Sequence, residues 1–159
     1  MKTLIIFLML YSSFYCFSQN LRTPEEVKYF NREFIRLINI ERKKLNIDTL
    51  IESDKLTKAS IDWSRECSIK NFFKHSELIN GSAECLTYIY GKKQVNKSAL
   101  ESVQAFQISS PHWKILMDPE YKFIGTGEYL NITKNHIKDE GDIMPITKVA
   151  SIVTIQLSR

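Results

Sequence analysis

The chain has 159 residues and a formal net charge of +4. So mild a basic excess excludes the clustered positive stripe of a nucleic-acid-binding domain. The length supports one domain around one core, and no repeat or low-complexity linker divides it.

The first eighteen residues read as a secretory signal peptide. Lys2 supplies the positive start, "TLIIFLMLY" the apolar stretch, and "CFSQN" the region of the break. Cleavage is expected after Ser18, leaving residues 19–159 as one secreted or periplasmic domain. Lipid attachment at Cys16 is disfavoured because Tyr15, directly before it, is not small. No second long apolar run follows, so no transmembrane segment is expected in the mature chain.

"TPEEVKYFNREFIRLINIERKKL" opens with the capping box Thr23 and Glu26 and with Pro24 at the first helical position. Val27, Phe30, Phe34, Leu37, Ile38 and Leu45 then recur at helical spacing. A second helix is predicted from about Ser53 to Asn71, with Leu56, Ala59, Ser60, Trp63 and Cys67 on one face. "FFKHSELINGSAECL" follows and brings a histidine, His75, and an acid, Glu84, close together in the sequence. A short strand through Tyr88, Ile89 and Tyr90 ends at Gly91.

"NKSALESVQAFQIS" predicts a third helix with a capping box at Ser98 and Glu101, and Pro111 stops it. A short fourth helix restarts with Ser110 as cap and Pro111 at its first position, which places His112 in the first turn. There the helix dipole favours a neutral imidazole. "YKFIGTGEYLNI" and "TKVASIVTIQLS" carry strand-forming residues, and the charged "NHIKDEGD" between them makes an antiparallel hairpin. Helices early and strands late predict an α+β domain.

Cys67 and Cys85 survive cleavage. In an oxidising compartment the pair invites one disulfide; two separately buried thiols are the alternative.

In this order and at these spacings the chain resembles the CAP superfamily (cysteine-rich secretory proteins, antigen 5 and pathogenesis-related proteins) in its short bacterial SCP-like form. "LINIERKKLNIDTLIESDKLTKASIDWS" is similar to the family's opening N-x-x-R, with Asn39 and Arg42, and to its next helix. "FFKHS" resembles the H-S motif, "AECL" stands at G-E-N, and "FQISSPHWKILMDPEYKFIGTG" is similar to W-x-x-S-x-x-H with the glycine segment after it. Ala83, Cys85 and Phe106 depart from the family pattern, and Ser109 stands where animal members carry a second glutamate.

The resemblance implies an α-β-α sandwich with a central antiparallel sheet. It also implies a groove containing His75, Glu84 and His112, with Ser109 beside them. Some members bind zinc through the two histidines, so zinc or another divalent metal at His75 and His112 is one expectation. Several bind sterols, fatty acids or protein partners, and Tyr88, Tyr90, Trp113, Phe123 and Tyr129 are candidate groove linings. A secreted binding module for a small apolar ligand or partner is therefore the leading expectation. A divalent-metal-dependent hydrolase using the same trio is one alternative, and a structural extracellular factor braced by the trio is another. Ser109, His112 and Glu84 have the residue types of a triad, and Cys85 is a conceivable nucleophile, but the sequence has no nucleophile elbow or oxyanion signature.

Overall fold

The computed structural model describes residues 22–70, 72–77, 82–91, 98–139 and 142–159, with side chains described for these except 88–91 and 131–151. The expected leader and cleavage point, Cys16 and two N-x-S sequons, at Asn80 and Asn96, lie outside the described residues, as do the side chains of Tyr88, Tyr90, Asn131 and His136.

Helix α1 spans Pro24–Lys44 and strand β1 is Ile51–Glu52; helix α2 spans Asp54–Lys70 and strand β2 Ser82–Gly91. Helices α3 (Ala99–Ile108) and α4 (Ser110–Leu116) precede the long hairpin of β3 (Phe123–Asp139) and β4 (Asp142–Ser158). Both capping boxes form: Thr23 with Glu26 at α1, and Ser98 with Glu101 at α3. Beyond the end of α1, Asn46 takes φ 56, a left-handed conformation that asparagine tolerates better than most residues. At α4 the cap is Ser109, one residue earlier than expected, and its hydroxyl makes no capping bond because it is turned to His112.

The sheet order is β1-β3-β4-β2. β2–β4 and β3–β4 are antiparallel, whereas the two-residue β1 pairs in parallel with β3. The sheet is therefore mixed rather than wholly antiparallel. Its edge strand arises because the chain leaving α1 runs alongside the start of β3, with the Ile51 N–H bonded to Lys122 O at 2.9 Å.

Alternation along the strands assigns the two faces. One carries Ala83, Cys85, Ile124, Val153, Ile155 and Leu157, and packs with Phe30, Phe34 and Ile38 of α1, Phe106 of α3 and Leu116 of α4. The other carries Leu86 and Ile152 and packs with Cys67, Trp63 and Phe72 at the end of α2. The result is the expected α-β-α layering. Because Cys67 and Cys85 face opposite layers, the expected disulfide does not form, and both are free buried thiols. Cys67 Sγ is directed at Lys74 O and Cys85 Sγ at His112 O.

Helix α2 lies unusually close to the sheet. Its stripe of Ser60, Ser64 and Cys67 is fully buried, and it approaches β3 at two glycines, Gly125 and Gly127. Ser60 Oγ donates to Gly125 O at 3.1 Å, Ser64 Oγ lies 2.9 Å from Gly127 O, and Ser64 also bonds Thr154 Oγ1 at 2.7 Å.

On the opposite layer, two residues of the N-x-x-R segment join distant pieces of chain. Asn39 makes a two-way amide pair with the Leu50 backbone, at 2.9 and 2.8 Å. Arg42 is 0% exposed, and its guanidinium donates to four carbonyls: Asp48, Leu116, Asp118 and Tyr121. Burial lowers its pKa, and the nearby acids Asp118 and Asp48 partly oppose this.

Candidate functional site

The site forms where the segment after α2 crosses the first residues of β2. Glu84 sits on the α2-facing side of β2, directly across from Gln156 of β4. Its carboxylate is buried and receives four bonds. Oε1 accepts from His75 Nδ1 at 2.9 Å and from the Ser76 backbone N–H at 3.0 Å. Oε2 accepts from the Ser76 hydroxyl and, at 3.2 Å, from the Gln156 amide. Glu84 thus serves His75 and does not touch His112.

His112 has its own partner. Its Nδ1 lies 2.9 Å from Ser109 Oγ, and its ring meets that of Phe106 in a T-shaped contact at a centroid distance of 5.6 Å. Burial, and then the nearby charge of His75, lowers its pKa. The neutral imidazole expected from its place at the helix start is therefore favoured by these causes. The two histidines are close enough to interact electrostatically, but they belong to separate pairs, Glu84–His75 and Ser109–His112. A Ser109–His112–Glu84 triad is not assembled. Cys85 is no nucleophile either, since burial, followed by the charge of Glu84, pushes its thiol up to about 12.

Beside His75 opens a groove of about 1100 Å³. One wall is α2, through Leu56, Ala59 and Trp63; the loop of Lys74, His75 and Ser76 forms another part, and Ser82 and Gln156 mark the sheet end. The helical stripe expected of α2 is thus divided, with Ser60 and Cys67 buried on the sheet and Leu56, Ala59 and Trp63 left to line the groove. Of the candidate aromatic linings, Trp113 packs against the main core and Tyr129 is buried; neither they nor Phe123 line the groove. His112, Ser109 and Glu84 are not lining residues either, so the groove reaches only one member of the expected trio directly. Gln156 is a site residue that motif reading missed, and Trp63, which the motif placed only on the second helix, was not expected in the groove. The alternation of β4 was the available signal for Gln156, a polar residue in an apolar strand.

A metal held by this chain would need more donors than the site offers. Both Nδ1 atoms are engaged, both Glu84 oxygens are saturated, and among the described residues no three His, Cys, Asp or Glu side chains converge on a common point. Two Nε2 atoms alone fall short of the three protein ligands of a catalytic zinc site. The donor set does not fit the expected metal centre.

Residues 35–131 match the family model described as CAP: Cysteine-rich secretory protein family. The chain belongs to the CAP family. Over 113 residues this CAP chain is 26% identical to YkwD of Bacillus subtilis strain 168, itself an uncharacterised protein; the match spans 65% of this chain and 44% of that relative, less than half its length. The fold is similar to that of an extracellular SCP-domain protein of Bacillus anthracis, with a TM-score of 0.62 and 15% identity over 89% of this chain and 45% of the other. It is also similar to an outer surface protein of Borrelia burgdorferi, with a TM-score of 0.55 and 16% identity over 89% and 98% of the two chains. Among the described residues of the CAP chain, no helix is long and apolar enough to cross a membrane.

The lowered pKa of His112 has a consequence for stability. The folded state holds this proton less tightly than the unfolded chain, where an imidazole titrates near 6.5. Its contribution is therefore complete above about pH 6.5 and is lost as pH falls through the lower folded value. Urea midpoints should fall between pH 7.5 and 5, and His112→Gln should flatten that slope. An equal slope in the variant would contradict the assignment.

Proposed function

We propose that this CAP domain acts outside the cytoplasm as a binding module for a small, largely apolar ligand carrying one polar group. The observation that carries this reading is the groove itself. Leu56, Ala59 and Trp63 offer an apolar wall for a ligand body, and His75 with Ser76 offers hydrogen bonding at one end. The leader-like N-terminus and the extracellular and surface relatives support the location. Saturation of the Glu84 carboxylate and the high pKa of the Cys85 thiol keep these two groups out of covalent and metal chemistry, which favours binding over hydrolysis.

The test is native mass spectrometry of the secreted protein, followed by titration with 1-decanol read through tryptophan fluorescence. Saturable binding is expected, weakened at least tenfold by Ala59→Arg, which fills the groove. No co-purifying species together with no decanol binding, or equal binding by the variant, would overturn the proposal.

A further inference from the structure

The bonds around Glu84 determine more than its own position. An ionised carboxylate has only acceptors, so each of its four neighbours must donate. The Ser76 backbone N–H can do nothing else. The Ser76 hydroxyl spends its proton on Oε2, which leaves Oγ free to accept from Gln156 Nε2 at 3.4 Å. The Gln156 amide must present its nitrogen, because the reverse orientation would set its oxygen against a carboxylate oxygen.

With the other three donors fixed, Oε1 faces His75 Nδ1 at 2.9 Å and requires a proton there. A neutral imidazole carrying its proton on Nδ1 has a bare lone pair on Nε2. The His75 side chain is 58% exposed and lines the groove, and among the described residues its Nε2 has no partner.

We infer that Ser76 and Gln156 are positioning residues that hold Glu84 so as to lock His75 in its Nδ1–H tautomer, presenting Nε2 as an acceptor for a ligand's hydrogen-bond donor, such as a hydroxyl. The ligand half rests on the groove reading; the tautomer half does not. Two elements far apart in sequence, the loop after α2 and the end of β4, supply the lock.

The full secreted protein, labelled with ¹⁵N, tests it at pH 7.5. Long-range ¹H–¹⁵N spectra, with His75 assigned through His75→Phe, should show a protonated Nδ1 and an unprotonated Nε2. In Ser76→Ala/Gln156→Leu the Nε2–H population should rise several-fold, while Ser76→Thr should keep the parent pattern. A purely structural role would lower the urea midpoint and leave these shifts unmoved. If the double variant does not fold, Gln156→Leu alone should move the same shifts by a smaller amount. A protonated Nε2 in the parent protein, or variants with unchanged shifts, would overturn the lock.

The ligand half is read by comparing 1-decanol with its methyl ether, which keeps the chain and loses the donor. The alcohol should bind about tenfold more tightly, and His75→Phe should erase the difference. Equal binding of the two probes by the parent protein would overturn the donor preference. Binding of neither would sink the groove reading, with the spectra still deciding the tautomer.

Discussion

Replacing Arg42 by methionine should cost about 4 kcal/mol of folding stability. The guanidinium is wholly buried, yet its partners are carbonyls rather than a carboxylate: Asp48 at 2.7 Å, Leu116 at 2.8 Å, Asp118 at 3.0 Å and Tyr121 at 3.2 Å. Methionine fills similar volume but strands four acceptors, and the Leu116 bond is the most deeply buried of them. The carbonyls lie on the loop after α1 and on the passage from α4 to β3, so their release loosens two junctions at once. Some of the loss is offset because a buried charge no longer has to be desolvated, which keeps the net below the sum of four bonds. Arg42→Lys should fall between, at about 2–3 kcal/mol, since a single ammonium cannot span the fork. Urea unfolding of the three proteins would settle the order. A methionine variant within 1 kcal/mol of the parent would show that the clamp contributes little.

Gly127→Ala should cost about 3 kcal/mol, at the upper end for overpacking. A Cβ there would lie 2.3 Å from the Ile61 backbone nitrogen, and one at Gly125 would lie 2.1 Å from the Leu56 carbonyl carbon. The obstructing atoms belong to the backbone of α2, so no rotamer change relieves the clash. The whole helix must retreat, stretching the Ser60 and Ser64 bonds to the glycine carbonyls. Alanine's smaller unfolded-state entropy returns only about 0.4–1 kcal/mol. Gly125→Ala/Gly127→Ala should cost less than the two singles together, because one displacement of α2 accommodates both methyls. Thermal and urea unfolding provide the check, and strict additivity would argue against a common movement. The retreat should also widen the groove wall formed by Leu56, Ala59 and Trp63, so 1-decanol binding should weaken in parallel.

The sequence made the local elements legible because their signals are local. Thr23 with Glu26 and Ser98 with Glu101 announce helix starts by bonds that close within four residues. The family motifs carried the layering and singled out His75 and Glu84, which lie 2.9 Å apart in the fold. The cap of α4 was misplaced by one residue because Ser109 and Ser110 are equally good cap formers. Only the position of His112 decides that the Ser109 hydroxyl is otherwise engaged. The disulfide expectation failed for a reason of parity: Cys85 points to one face of β2 and Leu86 to the other, and Cys67 packs with Leu86.

The candidate site residues were offered by the family resemblance; from the sequence alone come the helices, the hairpin and the α+β class. These follow from periodicity, capping and spacing, which depend on neighbours a few positions apart. The tertiary structure decided the pairings: Glu84 with His75 rather than His112, Gln156 with Glu84 across 72 positions, and Arg42 with carbonyls as far as 79 positions away. Such choices depend on strand register and on how closely α2 can approach two glycines. Both are set by the packing of whole elements, where a shift of one residue in register exchanges the two faces of the sheet.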